Sequence, residues 1–262
     1  MSETAPEMLS SSATPAQGRP TVIVDDLHVA YTVYATGRPA KGEATKLLRR
    51  ATNMRRARKI HAIKGISFTA REGEAIGVIG RNGSGKSTLL RAIAGLTPAD
   101  QGAIYADSDP TLLGVNAALI NELSGERNVI LGGLAMGLTP EEVRAKYDDI
   151  VDFAGIGEFI ELPMRTYSAG MGARLRFAIA ASATHRILLV DEALAVGDAD
   201  FQRRSEQRIN ELREAAGTVF LVSHSLKVIE DTCQRTLWID GGLLRMDGPS
   251  SEVIEAYNES VK

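Results

Sequence analysis

The chain has 262 residues, 44% of them hydrophobic and 24% charged, with a formal net charge of −3. This is the make-up of an ordinary globular protein with enough chain to bury a substantial core, and its slightly acidic balance offers no basic footprint for nucleic acid. A single cysteine, Cys233, excludes an internal disulfide and the usual structural zinc sets, and no apolar run approaches the roughly 18 residues of a membrane span.

The first 20 residues (MSETAPEMLSSSATPAQGRP) are rich in Ser, Ala, Thr and Pro and lack the basic start and apolar centre of a secretion signal. They read as a disordered tail on a cytoplasmic chain. Residues 21–34 then alternate as a strand, followed by a break at Gly37-Arg38-Pro39. From Glu43 to Arg58, the apolar positions Ala44, Leu47, Leu48, Ala51, Met54 and Ala57 form a helical stripe. Lys46, Arg49, Arg50, Arg55, Arg56 and Arg58 cover the remainder, which predicts a basic amphipathic helix. A solvated face is the plain alternative; contact with an anionic membrane surface or with a membrane partner is the functional one, at about 1 kcal/mol per cation before screening.

Residues 61–70 predict a second strand, and residues 74–80 (EAIGVIG) a short buried one. The latter runs into Gly80-Arg81-Asn82-Gly83-Ser84-Gly85-Lys86-Ser87, a full match to G-x-x-x-x-G-K-[ST], and residues 87–95 read as the helix that follows. Strand, glycine loop and helix in this order form a phosphate cradle. Glycines turn backbone N–H groups onto the anion, Lys86 reaches the β- and γ-phosphates, Ser87 can ligate Mg²⁺, and the helix N-terminus favours negative charge. The chain is therefore expected to bind a nucleoside triphosphate.

In the middle of the chain, Thr139-Pro140-Glu141-Glu142 is a capping box with proline at the first helical position. Val143, Tyr147, Ile150, Val151 and Ala154 mark one face of its helix, and Gly155 suits the C-terminal cap. Two short apolar strands follow, residues 187–190 and 218–222, whose continuous hydrophobicity suits a parallel sheet covered on both faces. There is no internal repeat.

Asp191 ends the first of these strands and Glu192 follows it. A carboxylate at the C-terminal edge of a parallel sheet beside a phosphate loop can hold Mg²⁺ through water, and an adjacent glutamate can act as general base. His224 closes the other strand, where an imidazole can meet a γ-phosphate or be satisfied by backbone. His28, His61 and His185 take the backbone-satisfied reading. Tyr167-Ser168-Ala169-Gly170-Met171 precedes a helix opened by small residues, either an ordinary cap or a second anion-facing turn.

The order of these elements resembles the ATP-binding cassette (ABC) family over residues 21–257. The resemblance implies an α/β fold: a P-loop nucleotide-binding domain with a mixed sheet core and an inserted helical subdomain, at about residues 112–180. It also implies ATP and Mg²⁺ as cofactors. Asn82, Gly83, Ser84, Gly85, Lys86, Ser87 and Thr88 then hold the phosphates, with Tyr31 (or Tyr34) stacked on adenine. Ser87 and Asp191 serve the metal, Glu192 and His224 the hydrolysis. Ser168, Ala169, Gly170 and Met171 form the signature that acts on the other subunit's ATP, and Asp198 is the D-loop aspartate. In that family two cassettes pair head to tail, so a homodimer is expected.

Three departures stand out. The signature reads YSAGM where most members have LSGGQ, no glutamine occurs near Val115 or Asn116, and the basic segment 43–58 is inserted between the first strands. Together with DEALAVGDADFQRR and ELSGERN, these features resemble the Wzt-like ATPase subunits of polysaccharide exporters. That narrower resemblance implies a permease dimer as membrane partner and a lipid-linked glycan moved through it. It also implies peripheral attachment to the cytoplasmic face of the membrane and no nucleic acid. With Lys262 as its last residue the chain is expected to lack the carbohydrate-binding domain some members carry, leaving substrate selection to the permease. An importer or small-molecule efflux ATPase, and a soluble non-transport ABC ATPase, are the alternatives; a small-molecule kinase would leave Glu192, Ser168 and His224 without shared purpose.

Overall fold

A computed structural model describes residues 18–34, 57–113, 119–191, 198–223 and 225–261. Two sheets and a group of helices organise them. The first sheet is antiparallel, in the order β2 (Ala57–Arg71), β1 (Pro20–Tyr34), β4 (Gln101–Ala106). The second has the order β5 (Thr111–Leu112), β6 (Ile187–Asp191), β7 (Thr218–Val222), β3 (Ala75–Ile79), β8 (Arg235–Asp240), β9 (Leu243–Pro249). Its strands are parallel except for the β8–β9 pair.

β1 is not a simple alternating strand. Strict alternation from Val22 and Val24 would put Asp26 and His28 inside. Instead the register shifts between Val24 and Leu27, Asp26 takes a positive φ of 44°, and its N–H donates to Ser67 Oγ at 2.8 Å. The bulge reverses the parity, so Leu27 and Val29 join Val22 and Val24 in the core.

α1 (Lys86–Ile93) lies between the two sheets, and its Leu89 and Leu90 pack with Val22, Leu27, Ile63, Ile66, Ile76, Val78 and Phe220. The opposite face of the second sheet is covered by α4 (Ala169–Ala180), α5 (Ala199–Ala215), α6 (Leu226–Thr232) and α7 (Ser250–Val261). Covered on both faces, β3, β6 and β7 can be almost wholly apolar, the exceptions being Thr218 and Asp191 at strand ends, and every residue of β7 is buried. A separate core of Val129, Ile150, Ala154, Ile156, Met164, Leu175, Ala178 and Ile179 joins α2 (Gly125–Ala135), α3 (Pro140–Ala154) and α4. The expected capping box on α3 forms with both of its hydrogen bonds, and Gly155 adopts the left-handed cap at φ 60°.

Three boundaries differ from the sequence expectation. Gly18 to Pro20 do not belong to a free tail: Gly18 O accepts from Arg71, Arg19 pairs with Glu72 and Asp107, and Pro20 opens β1. Ala57 and Arg58 are not the end of a helix, because cross-strand pairing with Tyr34 and Val33 extends β2 to Ala57; the rest of the basic segment, 43–56, lies outside the described residues. Leu112 belongs to the second sheet through β5 and not to the helical group.

Candidate nucleotide site

Three parallel strands bring the candidate residues to one edge. Val222 of β7 pairs with Val78 of β3 on one side and with Asp191 of β6 on the other. At an inter-strand spacing of about 4.8 Å, Asp191 is therefore roughly 10 Å from the strand that enters the phosphate loop. The C-terminal ends of these strands share an edge, where ligands bind in open α/β sheets.

The loop itself is shaped by glycine. Gly80, Gly83 and Gly85 have φ of 148°, 78° and 115°, values that side chains rarely tolerate. At Gly80 a Cβ would lie 2.1 Å from the Ile239 carbonyl oxygen, and at Gly85 it would lie 2.7 Å from that of Ala62. The loop is thus pressed against β8 and β2, which holds its open side outward. Gly242 N donates to Ser84 O at 2.9 Å and closes the loop from the β8–β9 turn.

Two features fit an anionic ligand. Helices α2 to α6 each begin on a side-chain cap, from Ser124, Thr139, Ser168, Asp198 and Ser225. α1 begins on Gly85 with no side-chain cap, and its first i→i−4 bond is Leu89 N to Gly85 O. The N–H groups of Ser87 and Thr88 precede that bond and face the loop, where the helix end carries partial positive charge. The buried Ser84 hydroxyl has no hydrogen-bond partner. Lys86, also buried, donates through Nζ to the carbonyl oxygens of Gly80 at 2.8 Å and Arg81 at 3.1 Å. Ser87 is exposed, and its hydroxyl, like the Asp191 carboxylate at the end of β6, is a hard oxygen donor of the kind that suits Mg²⁺. Tyr31 is exposed beside this loop, its hydroxyl sharing a 3.4 Å hydrogen bond with Thr88 Oγ1. Asp100 fixes the strand just before it: its carboxylate accepts Ala30 N–H at 2.6 Å and pairs with Lys59 at 2.6 Å. The Lys59 contact and then the Ala30 N–H hold that carboxyl below the usual carboxylate range.

Ser168 to Met171 sit elsewhere, at the start of α4 within the helical group. Ser168 Oγ accepts Met171 N–H at 3.2 Å, so the hydroxyl caps its own helix. Asp198 caps α5 by accepting Phe201 N–H at 2.9 Å. Glu192 and His224, like Val115 and Asn116, lie outside the described residues. His185 is buried with Nε2 2.9 Å from the Ala180 carbonyl oxygen, and burial pushes its pKa down.

Sequence reasoning missed two residues. Asn128, fully buried, accepts Ile120 N–H at 2.7 Å and donates to the carbonyl oxygens of Ile120, Leu123 and Ser124, tying the loop 120–124 to the start of α2. Arg174 reaches from α4 to Asp198 at 2.6 Å. A buried asparagine inside a polar GERN string, and an arginine in an RLRF helix, each look like solvent-facing residues in the sequence.

Comparison with known proteins agrees with this geometry. The family model described as ABC transporter matches residues 63–195. The O-antigen export system ATP-binding protein RfbB of Myxococcus xanthus is 40% identical over 222 residues, 84% of this chain and 51% of that protein. The teichoic acids export ATP-binding protein TagH of Lactococcus lactis is 37% identical over 85% of this chain and 47% of its own length. The chain thus spans about half the length of these two relatives, but 87% of RfbB from Klebsiella pneumoniae, at 36% identity over 214 residues. Among solved structures, an ATP-binding subunit of an ABC transporter superposes with TM-score 0.65 at 20% identity, covering 91% of this chain and 93% of that one. A dimeric ATP-binding cassette in a post-hydrolysis state with ADP and Pi gives TM-score 0.62 at 21% identity, covering 87% and 98%. The chain belongs to the ABC transporter family and has the fold of its ATP-binding cassettes.

Proposed function

We propose that this chain is the ATP-hydrolysing subunit of an exporter that moves a lipid-linked polysaccharide across the cytoplasmic membrane. Two copies pair head to tail on two ATP molecules and act on a permease dimer, which holds them at the cytoplasmic face of the membrane. The observation that carries this reading is the 36–40% identity, over more than four-fifths of the chain, to proteins named for export of O-antigen and teichoic acids. No described helix is long and apolar enough to cross a membrane, in keeping with a separate membrane partner.

In this proposal the division into a cassette core and a helical unit near residues 112–180 separates the two halves of the active site. Lys86, Ser84 and the N–H groups of the loop and α1 hold the phosphates, and Tyr31 stacks on the base. Ser87, and Asp191 through water, hold Mg²⁺, which when bound neutralises phosphate charge. Glu192 takes the proton of the attacking water and His224 steadies the γ-phosphate. General-base catalysis contributes about 10²–10⁴-fold. Ser168, Ala169, Gly170 and Met171 complete the site of the second copy, and Asp198 lies at the same interface. Lys86 exchanges its bonds to Gly80 and Arg81 for bonds to phosphate, which keeps the loop pre-shaped without ligand.

The test is depletion of the chain in its own cell, with the lipid-linked glycans followed by leaflet. Accumulation of finished glycan on the cytoplasmic side, rescued by wild type but not by Glu192→Gln, is expected. Normal surface glycan after depletion would overturn the proposal.

A further inference from the structure

β1 loses one of its two sheet neighbours shortly before Tyr31. β4 pairs with it only as far as His28, opposite Gln101, whereas β2 on the other side follows it to Tyr34. Beyond His28 the backbone groups on the β4 side need partners from elsewhere. Asp100, the residue before β4, supplies them. Its N–H donates to the His28 carbonyl oxygen at 2.8 Å, and its carboxylate Oδ2 accepts the Ala30 N–H at 2.6 Å. The side chain thus takes the place of a further β4 residue, and its contact falls one position short of Tyr31.

The same carboxylate reaches a third element. Lys59 lies on β2 opposite Thr32, and its Nζ is 2.6 Å from Asp100 Oδ1. This ion pair is half-exposed, so water screens its attraction. The backbone bond is the contact that sets geometry, because it fixes one point on the strand edge. Asp100 also follows α1 by seven residues. The first turn of α1 meets the same strand, since Thr88 Oγ1 and the Tyr31 hydroxyl share a bond that at 3.4 Å is weak. The stretch 86–100 therefore carries Lys86 and Ser87 at one end and holds β1 at Ala30 from the other.

We infer that Asp100 is a positioning residue for base recognition: it fixes β1 at Ala30, so that Tyr31 stands ready beside the phosphate loop before the nucleotide arrives. The inference rests on the proposal that Tyr31 stacks on the base. Ordering a strand end during binding would subtract from affinity, and a strand already held avoids that loss. The phosphates are gripped by the loop and by the start of α1, so they do not sense the change. Asp100 acts on the base-dependent part of the affinity alone.

The test uses the full chain with Asp100→Ala and Asp100→Leu, which both remove the acceptor, so that one folded variant suffices. Asp100→Asn keeps an acceptor for the Ala30 N–H but loses the charge. Tyr31→Ala and the Tyr31→Ala/Asp100→Ala double variant complete the set. ATP and inorganic tripolyphosphate, which has no base, each compete against a fluorescent ATP analogue, and the thermal midpoint is recorded. Tyr31→Ala is expected to weaken ATP about tenfold, the loss of one stacked base. Asp100→Ala or Asp100→Leu should weaken ATP about three- to tenfold and leave tripolyphosphate within twofold of wild type. Asparagine should restore ATP affinity to within about twofold, and the double variant should bind ATP no worse than Tyr31→Ala alone. A merely structural role predicts that both ligands weaken together as the thermal midpoint falls. That outcome, additive losses in the double variant, or an asparagine variant as weak as the alanine one overturns the inference. If Tyr31→Ala leaves ATP affinity intact, the base-stacking proposal fails and the inference falls with it. If Tyr31→Ala weakens ATP and neither Asp100→Ala nor Asp100→Leu does, the inference alone fails.

Discussion

Lys86 donates its ammonium to the carbonyl oxygen of Gly80 at 2.8 Å, so the cation of the phosphate loop is held by the residue that opens the loop. Ligand binding must replace this contact and the one to Arg81 with charge-assisted bonds to phosphate, each contributing about 1.5–3 kcal/mol. Lys86→Ala is therefore expected to weaken ATP binding by about 10–100-fold, measured by titration with a fluorescent analogue. Amide exchange across residues 80–85 should rise in the same variant without ligand. Affinity within twofold of wild type would remove Lys86 from the phosphate site.

The loop glycines are not equivalent. At Gly80 a Cβ would overlap the Ile239 backbone oxygen at 2.1 Å, whereas at Gly83 it would meet nothing within 4 Å. Gly83→Ala carries only the cost of a left-handed residue, about 1–2 kcal/mol. Gly80→Ala adds a backbone clash that can be relieved only by parting the loop from β8, and should cost more than about 3 kcal/mol. Denaturant melts of the two variants check this order; equal losses would contradict it.

The features legible in the sequence were those governed by local chemistry. The glycine loop, the capping box from Thr139 to Glu142 and the fully buried β7 each depend on residues adjacent in the chain, and each forms where expected. What escaped depends on distant partners. The bulge that turns Leu27 and Val29 inward needs the Ser67 hydroxyl from the next strand. Periodicity places Ala57 in a helical stripe, but pairing with Tyr34 across the ribbon overrides it. Arg174 gains its carboxylate partner only because α5 returns to it 24 residues later.

Cys233 is buried, and burial pushes its thiol pKa from an ordinary 9.0 up to about 11. The unfolded chain releases this proton first as pH rises, so folding stability should fall from about pH 9 and level off near pH 11. Two pH units correspond to roughly 2–3 kcal/mol. Urea melts at pH 8.5 and 10.5 should show this loss in wild type and a smaller one in Cys233→Ala, whose cavity lowers both values alike. The native thiol should also resist disulfide reagents at pH 8. A pH slope identical in the two proteins, or rapid labelling of the folded chain, would place the thiol in water.

The proposed division of the site between two copies gives the sharpest test of assembly. Lys86→Ala disables the phosphate loop of a subunit, and Ser168→Arg disables its signature while leaving its loop intact. Each homodimer then has two defective sites. In a mixed dimer the defects fall together: one site pairs the damaged loop with the damaged signature, and the other pairs two intact halves. Equal mixing makes about half of the dimers mixed, each with one working site of two, so activity should recover to about a quarter of wild type if the sites fire independently. Strict dependence of one site on the other would lower the recovery, but the signal should still depend on the product of the two subunit concentrations. No recovery at any ratio, with mixed dimers demonstrated by differential tagging, would mean that loop and signature serve the same chain.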